Sequence, residues 1–167
     1  MPSSLTKPSL YCKPGGVFSI SGPGLQEFLK SVLAKRAAFR FRAQGFSMHP
    51  CIRDGDVITI SPLEDRAPRM GEVAAFLDQE TKKLMVHRVI ARVRGGYLIK
   101  GDSNCGPDGL LVFENLIGVV KRVERDGKTV CLGQGPERLF IALLSRFNLL
   151  QPLVHYAWQV FKRWVPE

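Results

Sequence analysis

"KLMVHRVIARV", residues 83–93, decides the fold. Apolar residues recur at every second position over much of its length, which is the period of a strand and not of a helix. On that period Met85, His87, Val89, Ala91 and Val93 share one face, and Val86, Arg88, Ile90, Arg92 and Arg94 share the other. The face with three arginines is expected to be the wetter one. His87 is then expected among apolar neighbours, where desolvation disfavours the imidazolium and leaves a neutral ring able to accept a proton.

Shorter runs of the same kind lie on both sides. "FRFRAQ" (39–44), "DVITIS" (56–61), "EVAAFL" (72–77), "GYLIKG" (96–101), "LIGVVKRVE" (116–124) and "KTVCLG" (128–133) complete a set of about seven strands. Gly95-Gly96 and Asp126-Gly127 are two-residue turn signals, the second suited to type I′. The fold class expected is mainly β, a compact antiparallel domain over residues 38–135. Gly55-Asp56-Val57 and Gly71-Glu72-Val73 each open a strand after a turn, an internal echo too brief to define a repeat.

Helical spacing appears at both ends of the chain. Residues 1–23 read as a loose N-terminal segment, and 24–37 as a basic amphipathic helix with Leu25, Phe28, Leu29 and Val32 on its apolar side. Residues 136–167 read as a helical tail that Pro152 divides into helices near 136–150 and 152–164. Packing of this tail on the β-domain is one expectation; its Trp, Lys and Arg residues also suit a membrane interface. The most apolar stretch, "FIALLSRFNLLQPLVHYAWQVF" (140–161), is interrupted by Arg146, Asn148, Gln151, Pro152 and His155, so no spanning helix is expected.

The net charge of +9 implies attraction to something anionic. No nucleic-acid motif accompanies it, so nucleic acid is not the expected partner, and an anionic membrane surface is the better match. Four scattered cysteines without a C-x-x-C pair read as free thiols in a reducing, cytoplasmic compartment. His49, Cys51 and Cys105 match no standard metal spacing, so neither metal nor cofactor is expected.

The chemistry-bearing residues lie between strands. "GFSMHPCIRDGD" (45–56) sets Ser47 in a segment too apolar for a solvated loop and too interrupted for a helix. "IKGDSNCGPDG" (99–109) supplies a polar loop with Asp102 and Asp108. Serine becomes a nucleophile when a neighbouring base takes its proton; a neutral imidazole does this near pH 7, and a carboxylate on the far ring nitrogen stabilises the resulting cation. Local alternatives for the base are His49 and the pair Lys82-Lys83. "SLTK" (4–7) has the spacing of another serine–lysine class but sits in the loose end.

In order and wording these segments resemble the conserved boxes of signal peptidase I-like serine peptidases of the S24/S26 clan. "GFSMHPCIRDGDVITI" is similar to the nucleophile box, in which Ser-Met is followed by any residue and Pro; "GEVAAF", "HRVIARV", "KGDSNCGPD" and "IGVVKRV" are similar to the boxes that follow. A histidine at position 87, where most bacterial members have lysine, resembles the branch of archaea, the endoplasmic reticulum and some sporulating bacteria. The resemblance implies Ser47 as nucleophile, His87 as base, Asp108 as the third member, and Asp102 supporting the loop or the histidine. It implies backbone donors for the oxyanion, Gly45, Met48 and Pro50 against substrate, and a peptide or preprotein as that substrate. The usual preceding transmembrane helix is not matched; the helix at 24–37 stands in its place. Self-cleaving repressors share this β-fold, which keeps self-processing near Ala37-Ala38 or Gly15-Gly16 as the alternative, beside a non-catalytic interaction module.

Overall fold

The alternating runs pair into eight antiparallel strands in a computed structural model, which describes residues 23–63, 66–81 and 83–164. They are β1 (Phe39–Arg42), β2 (Val57–Ser61), β3 (Val73–Leu77), β4 (Leu84–Val93), β5 (Gly96–Lys100), β6 (Gly109–Leu111), β7 (Leu116–Arg125) and β8 (Lys128–Val130). The order is β1-β2-β7-β3-β4-β5-β6, with β8 hydrogen-bonded to β7. The mainly β fold is therefore as expected. Asp126 and Gly127 both take positive φ, 50° and 74°, the backbone of a type I′ turn. β6 has no alternating pattern to betray it: it is three residues long and begins on a glycine.

β7 is the hub. Its first half pairs with β3 and its second with β2 and β8. At the crossing, a Cβ on Gly118 would stand 2.3 Å from the Ser61 carbonyl oxygen, so the close approach of the two backbones requires glycine. The echo noted in the sequence has a structural counterpart at the entries to β2 and β3. Asp56 accepts the Arg53 N–H and Glu72 the Arg69 N–H, and each carboxylate also pairs with an arginine side chain, Arg125 and Arg66 respectively.

β3 and β4 are buried on both faces, and this corrects the reading of β4. Val73, Ala75 and the partly buried Val86 face a core built from Leu29, Val32, Phe39, Ile58, Ile60 and Val123. Ala74, Phe76 and Val89 face a second cluster with Tyr97, Ile99 and Leu111. The arginine face is thus not wet where it begins: Arg88 is 0% exposed. Its Nε and Nη2 donate to Asp102 at 2.8 and 2.6 Å, and its Nη1 donates to the Gly71 and Gly133 carbonyls. A register shift between Val89 and Ala91 then breaks the strict alternation, and Arg92 and Val93 emerge exposed.

α1 (Pro23–Ala34) stops short of residue 37, at Arg36 in the left-handed region (φ 49°). It presses Leu29 and Val32 into the core, and Phe28 meets Phe39 edge-to-face at 5.8 Å. The described apolar side chains of α1, Phe28, Leu29 and Val32, are thus used within the chain. The C-terminal helices are α2 (Arg138–Arg146) and α3 (Leu150–Trp164). The break between them corrects the expectation for Pro152. It falls at Asn148 (φ 59°), where the Leu149 N–H closes on the Leu144 carbonyl in a left-handed helix end, while Pro152 sits in the first turn of α3. Of the loose segment expected over 1–23, residues 1–22 lie outside the described residues and Pro23 opens α1; Lys82 is also outside them.

A buried carboxylate stripped of its only guanidinium is costly. Arg88→Met is expected to lower stability by about 3–5 kcal/mol in urea unfolding, and adding Asp102→Leu to recover most of the loss.

Candidate active site

The segment 43–56 is a closed loop. At its neck the Ala43 N–H donates to the Asp56 carbonyl at 2.7 Å and the Gly55 N–H to the Ala43 carbonyl at 2.9 Å. Inside it, Gly45 turns with φ +92° and gives its N–H to Asp54, and Ile52 N–H bonds back to the Met48 carbonyl. Met48, Cys51 and Ile52 point inward and are buried, while Ser47 is left half-exposed on the rim. The apolar residues that made the stretch unlike a loop are its anchors. The Met48 side chain packs into the main core. Gly45 and Pro50 remain on the outer side, with open space around Gly45, and the His49–Pro50 bond is cis.

β4 brings His87 to this loop. Its Nε2 lies 3.2 Å from the Ser47 Oγ, and its Nδ1 lies 3.1 Å from the Asp108 Oδ2. The first distance is that of a hydrogen bond; in the second the carboxylate stands to the side of the Nδ1–H direction, close but not well aligned. The ring is 3% exposed and rests against Phe76 at 5.8 Å between centroids. Burial pushes the imidazole pKa below its ordinary 6.5, and the negative charges of Asp108 and Asp102 offset part of that.

The acidic loop is clamped onto the nucleophile loop. Ser103 N–H donates to the Ser47 carbonyl at 2.8 Å, and its hydroxyl to the His49 carbonyl at 3.0 Å. Asp108 is held by the Gly101 N–H at 2.6 Å and the Asn104 side-chain amide at 2.5 Å. Of the two acids, Asp108 faces His87, whereas Asp102 turns to Arg88 and supports the loop. Lys100 is buried and spent: its ammonium donates to the Ser145 carbonyl and the Asn148 side chain, tying α2 to the end of β5. His49 contributes a carbonyl, and Lys83 is exposed ahead of β4. The roles of Arg88, Lys100 and Ser103 were not read from the sequence; the adjacency of His87-Arg88 and of Lys100-Gly101-Asp102 was the signal available.

Among the described residues no three His, Cys, Asp or Glu side chains converge as a metal-binding group. Cys51, Cys105 and Cys131 are free thiols, and burial raises the pKa of Cys51 to about 12, which leaves it unreactive.

A family model for peptidase S24-like proteins matches residues 23–121. The chain belongs to the peptidase S24-like family. The matched segment holds α1, both loops of the site and most of β7. β8, α2 and α3 lie beyond it, so the helices that receive Lys100 are outside the family's matched region. No curated protein matches the chain.

Two glycines of the clamped loop separate contact from flexibility. A Cβ on Gly101 would stand 2.8 Å from the Ser47 carbonyl oxygen, whereas one on Gly106 would meet nothing within 4 Å. Gly101→Ala is expected to cost about 1–3 kcal/mol in urea unfolding, and Gly106→Ala to stay within about 0.5 kcal/mol of the parent.

Proposed function

We propose that this S24-like chain is a serine endopeptidase in which Ser47, His87 and Asp108 hydrolyse a peptide bond through an acyl-enzyme. The observation that carries the reading is one buried imidazole with a serine hydroxyl 3.2 Å from Nε2 and a carboxylate 3.1 Å from Nδ1. The carboxylate favours the tautomer with its proton on Nδ1, which leaves Nε2 free to accept from the Ser47 hydroxyl.

As the Ser47 oxygen attacks a carbonyl carbon, its proton passes to Nε2 and the imidazolium is stabilised by Asp108. The developing oxyanion meets the Ser47 backbone N–H, which bonds to none of the described residues. The C–N bond breaks as Nε2 returns the proton to the leaving amine. A water then gives a proton to Nε2 and attacks the ester, and Ser47 recovers its hydrogen as the acid product departs.

The finer reading is a signal peptidase I-like enzyme of the histidine-type branch, acting on a peptide or preprotein with small residues before the cut bond. Ser47-Met48 followed by Pro50, a histidine on β4, and Asp108 six residues after Asp102 support it. Cleavage of other chains is favoured over self-cleavage at Ala37-Ala38. That bond enters β1, whose Phe39 is buried and paired with Ile60, so reaching Ser47 requires stripping β1 from the sheet. Gly15-Gly16 lies outside the described residues.

Purified protein is expected to hydrolyse a fluorogenic peptide carrying Ala-x-Ala before the cut. Ser47→Ala should remove turnover, and His87→Ala should lower kcat/KM by about 10²- to 10⁴-fold or more. A fluorophosphonate should add to Ser47, read by peptide mass. Hydrolysis unchanged in Ser47→Ala would sink the proposal. Because the base form is populated above its pKa, and burial lowers that pKa, the acidic limb of kcat/KM should have its midpoint below pH 6.5.

A further inference from the structure

α2 has one face turned to the body and an opposite face turned out, and α3 meets the body through its start, at Leu150, Gln151 and Val154. On α2 the inward face is Ile141, Ala142 and Ser145, all buried. Ile141 packs with Leu150 of α3 against Cys51 of the nucleophile loop, and the Gln151 side chain donates to the Asp102 carbonyl at 3.1 Å. The helical pair is thereby fixed to both loops of the candidate site.

The outward side carries large exposed apolar side chains. Phe140 (62% exposed) and Leu143 lie on one side of α2 with Phe147 (66%) at its C-cap, and Leu149, Leu153 and Tyr156 (68%) recur at helical spacing from just before α3 into its first turns. Scattered exposed apolar residues need no explanation, but rows at helical spacing on two consecutive helices mark a surface that is covered by something.

Charge decides what covers it. Residues 138–164 contain Arg138, Arg146, Lys162 and Arg163 and no Asp or Glu, within a chain of net charge +9. A two-fold interface presents the same patch from both sides, so a second copy would offer this acid-free, basic segment only another of its own kind. An anionic bilayer accepts the apolar rows and neutralises the cations together. α3 has 15 residues, roughly 22 Å at 1.5 Å per residue, short of the 30 Å or so of a hydrocarbon core. No helix among the described residues is long and apolar enough to cross a membrane.

We propose that the outward face of α2–α3 lies on the surface of an anionic lipid bilayer. The docked helices hold the candidate site at the lipid–water boundary, and, resting on the peptidase reading above, this makes polypeptides presented at that boundary its substrate class.

The test is flotation of the full chain with vesicles of phosphatidylcholine alone and of phosphatidylcholine mixed with phosphatidylglycerol. The chain is expected to float with the mixed vesicles only, less so at high salt. Phe140→Ser with Phe147→Ser, both exposed and so compatible with the fold, is expected to weaken partitioning roughly 100-fold. Ser47→Ala should float like the parent. Failure to float, flotation unchanged in the double variant, or a lipid-free dimer that the double variant dissolves would each overturn the docking proposal; the last would assign the face to a second copy. With docking established, the parent should cut a lipid-tethered peptide faster than its soluble form, and the double variant should lose that preference. Equal rates would overturn the substrate class, and flotation with neither peptide cut would overturn the peptidase reading while leaving the docking surface intact.

Discussion

A guanidinium with no exposure to solvent holds this site together. Arg88 gives Nε and Nη2 to Asp102, and Nη1 to carbonyls at Gly71 and Gly133, so one side chain of β4 ties down the entry to β3, the acidic loop and the segment before α2. Such a pair is a weak source of net stability, because taking both ions out of water costs several kcal/mol before any attraction is counted. Its effect is positional. Adjacent residues of a strand point to opposite faces, so an arginine locked on one side of β4 fixes where His87 stands on the other. The same grip fixes Asp102, and through Ser103 the acidic loop is set against Ser47.

The pair also sorts the two carboxylates. Both Asp108 and Asp102 act to raise the His87 pKa, yet burial outweighs them and the net shift is downward. Arg88 is the reason Asp102 can be close without making the ring a cation: its charge is matched within 2.6 to 2.8 Å by an opposite one. Asp108, held by the Gly101 N–H and Asn104, is left as the carboxylate at Nδ1. A ring that is neutral at rest but stabilised once protonated is what a general base near pH 7 needs.

Seven of the eight strands coincide with short β-rich runs between turn signals, and alternation is clearest where one face is covered and the other is not, as in β2. β6 was not legible, since three residues starting on Gly109 carry no period. Arg88 was misplaced for an instructive reason. Reading its face as wet assumed a sheet covered on one side only, whereas β3 and β4 have a core on each side. A buried arginine cannot be told from a solvated one by spacing; only the partner reveals it, and Asp102 lies in a loop that sequence alone could not dock. The assembly of Ser47, His87 and Asp108 was suggested by the order of the motifs, but their distances depend on the clamp from Ser103 and Gly101, which is backbone geometry and leaves little trace in residue type. Pro152 misled in a different way. A proline ends a helix when it falls in the interior but is accepted in a first turn, and Asn148, able to adopt φ 59°, had already made the break.

Two amphipathic segments flank the β-domain, and the difference between them lies in where their apolar faces go. α1 turns Leu29 and Val32 into the main core beside Phe39 and Ile60, so its spacing describes packing within the chain. α2 and α3 use a narrow face to grip Cys51 and Lys100 and leave the broader apolar side open. Spacing reports that a helix has an apolar face; it does not say against what that face lies. Charge adds the missing term, since Glu27 sits on α1 whereas residues 138–164 carry only cations. An exposed apolar face in a segment whose only charges are basic is poorly matched to its own copy and to water, and well matched to a layer that is apolar within and anionic at its boundary.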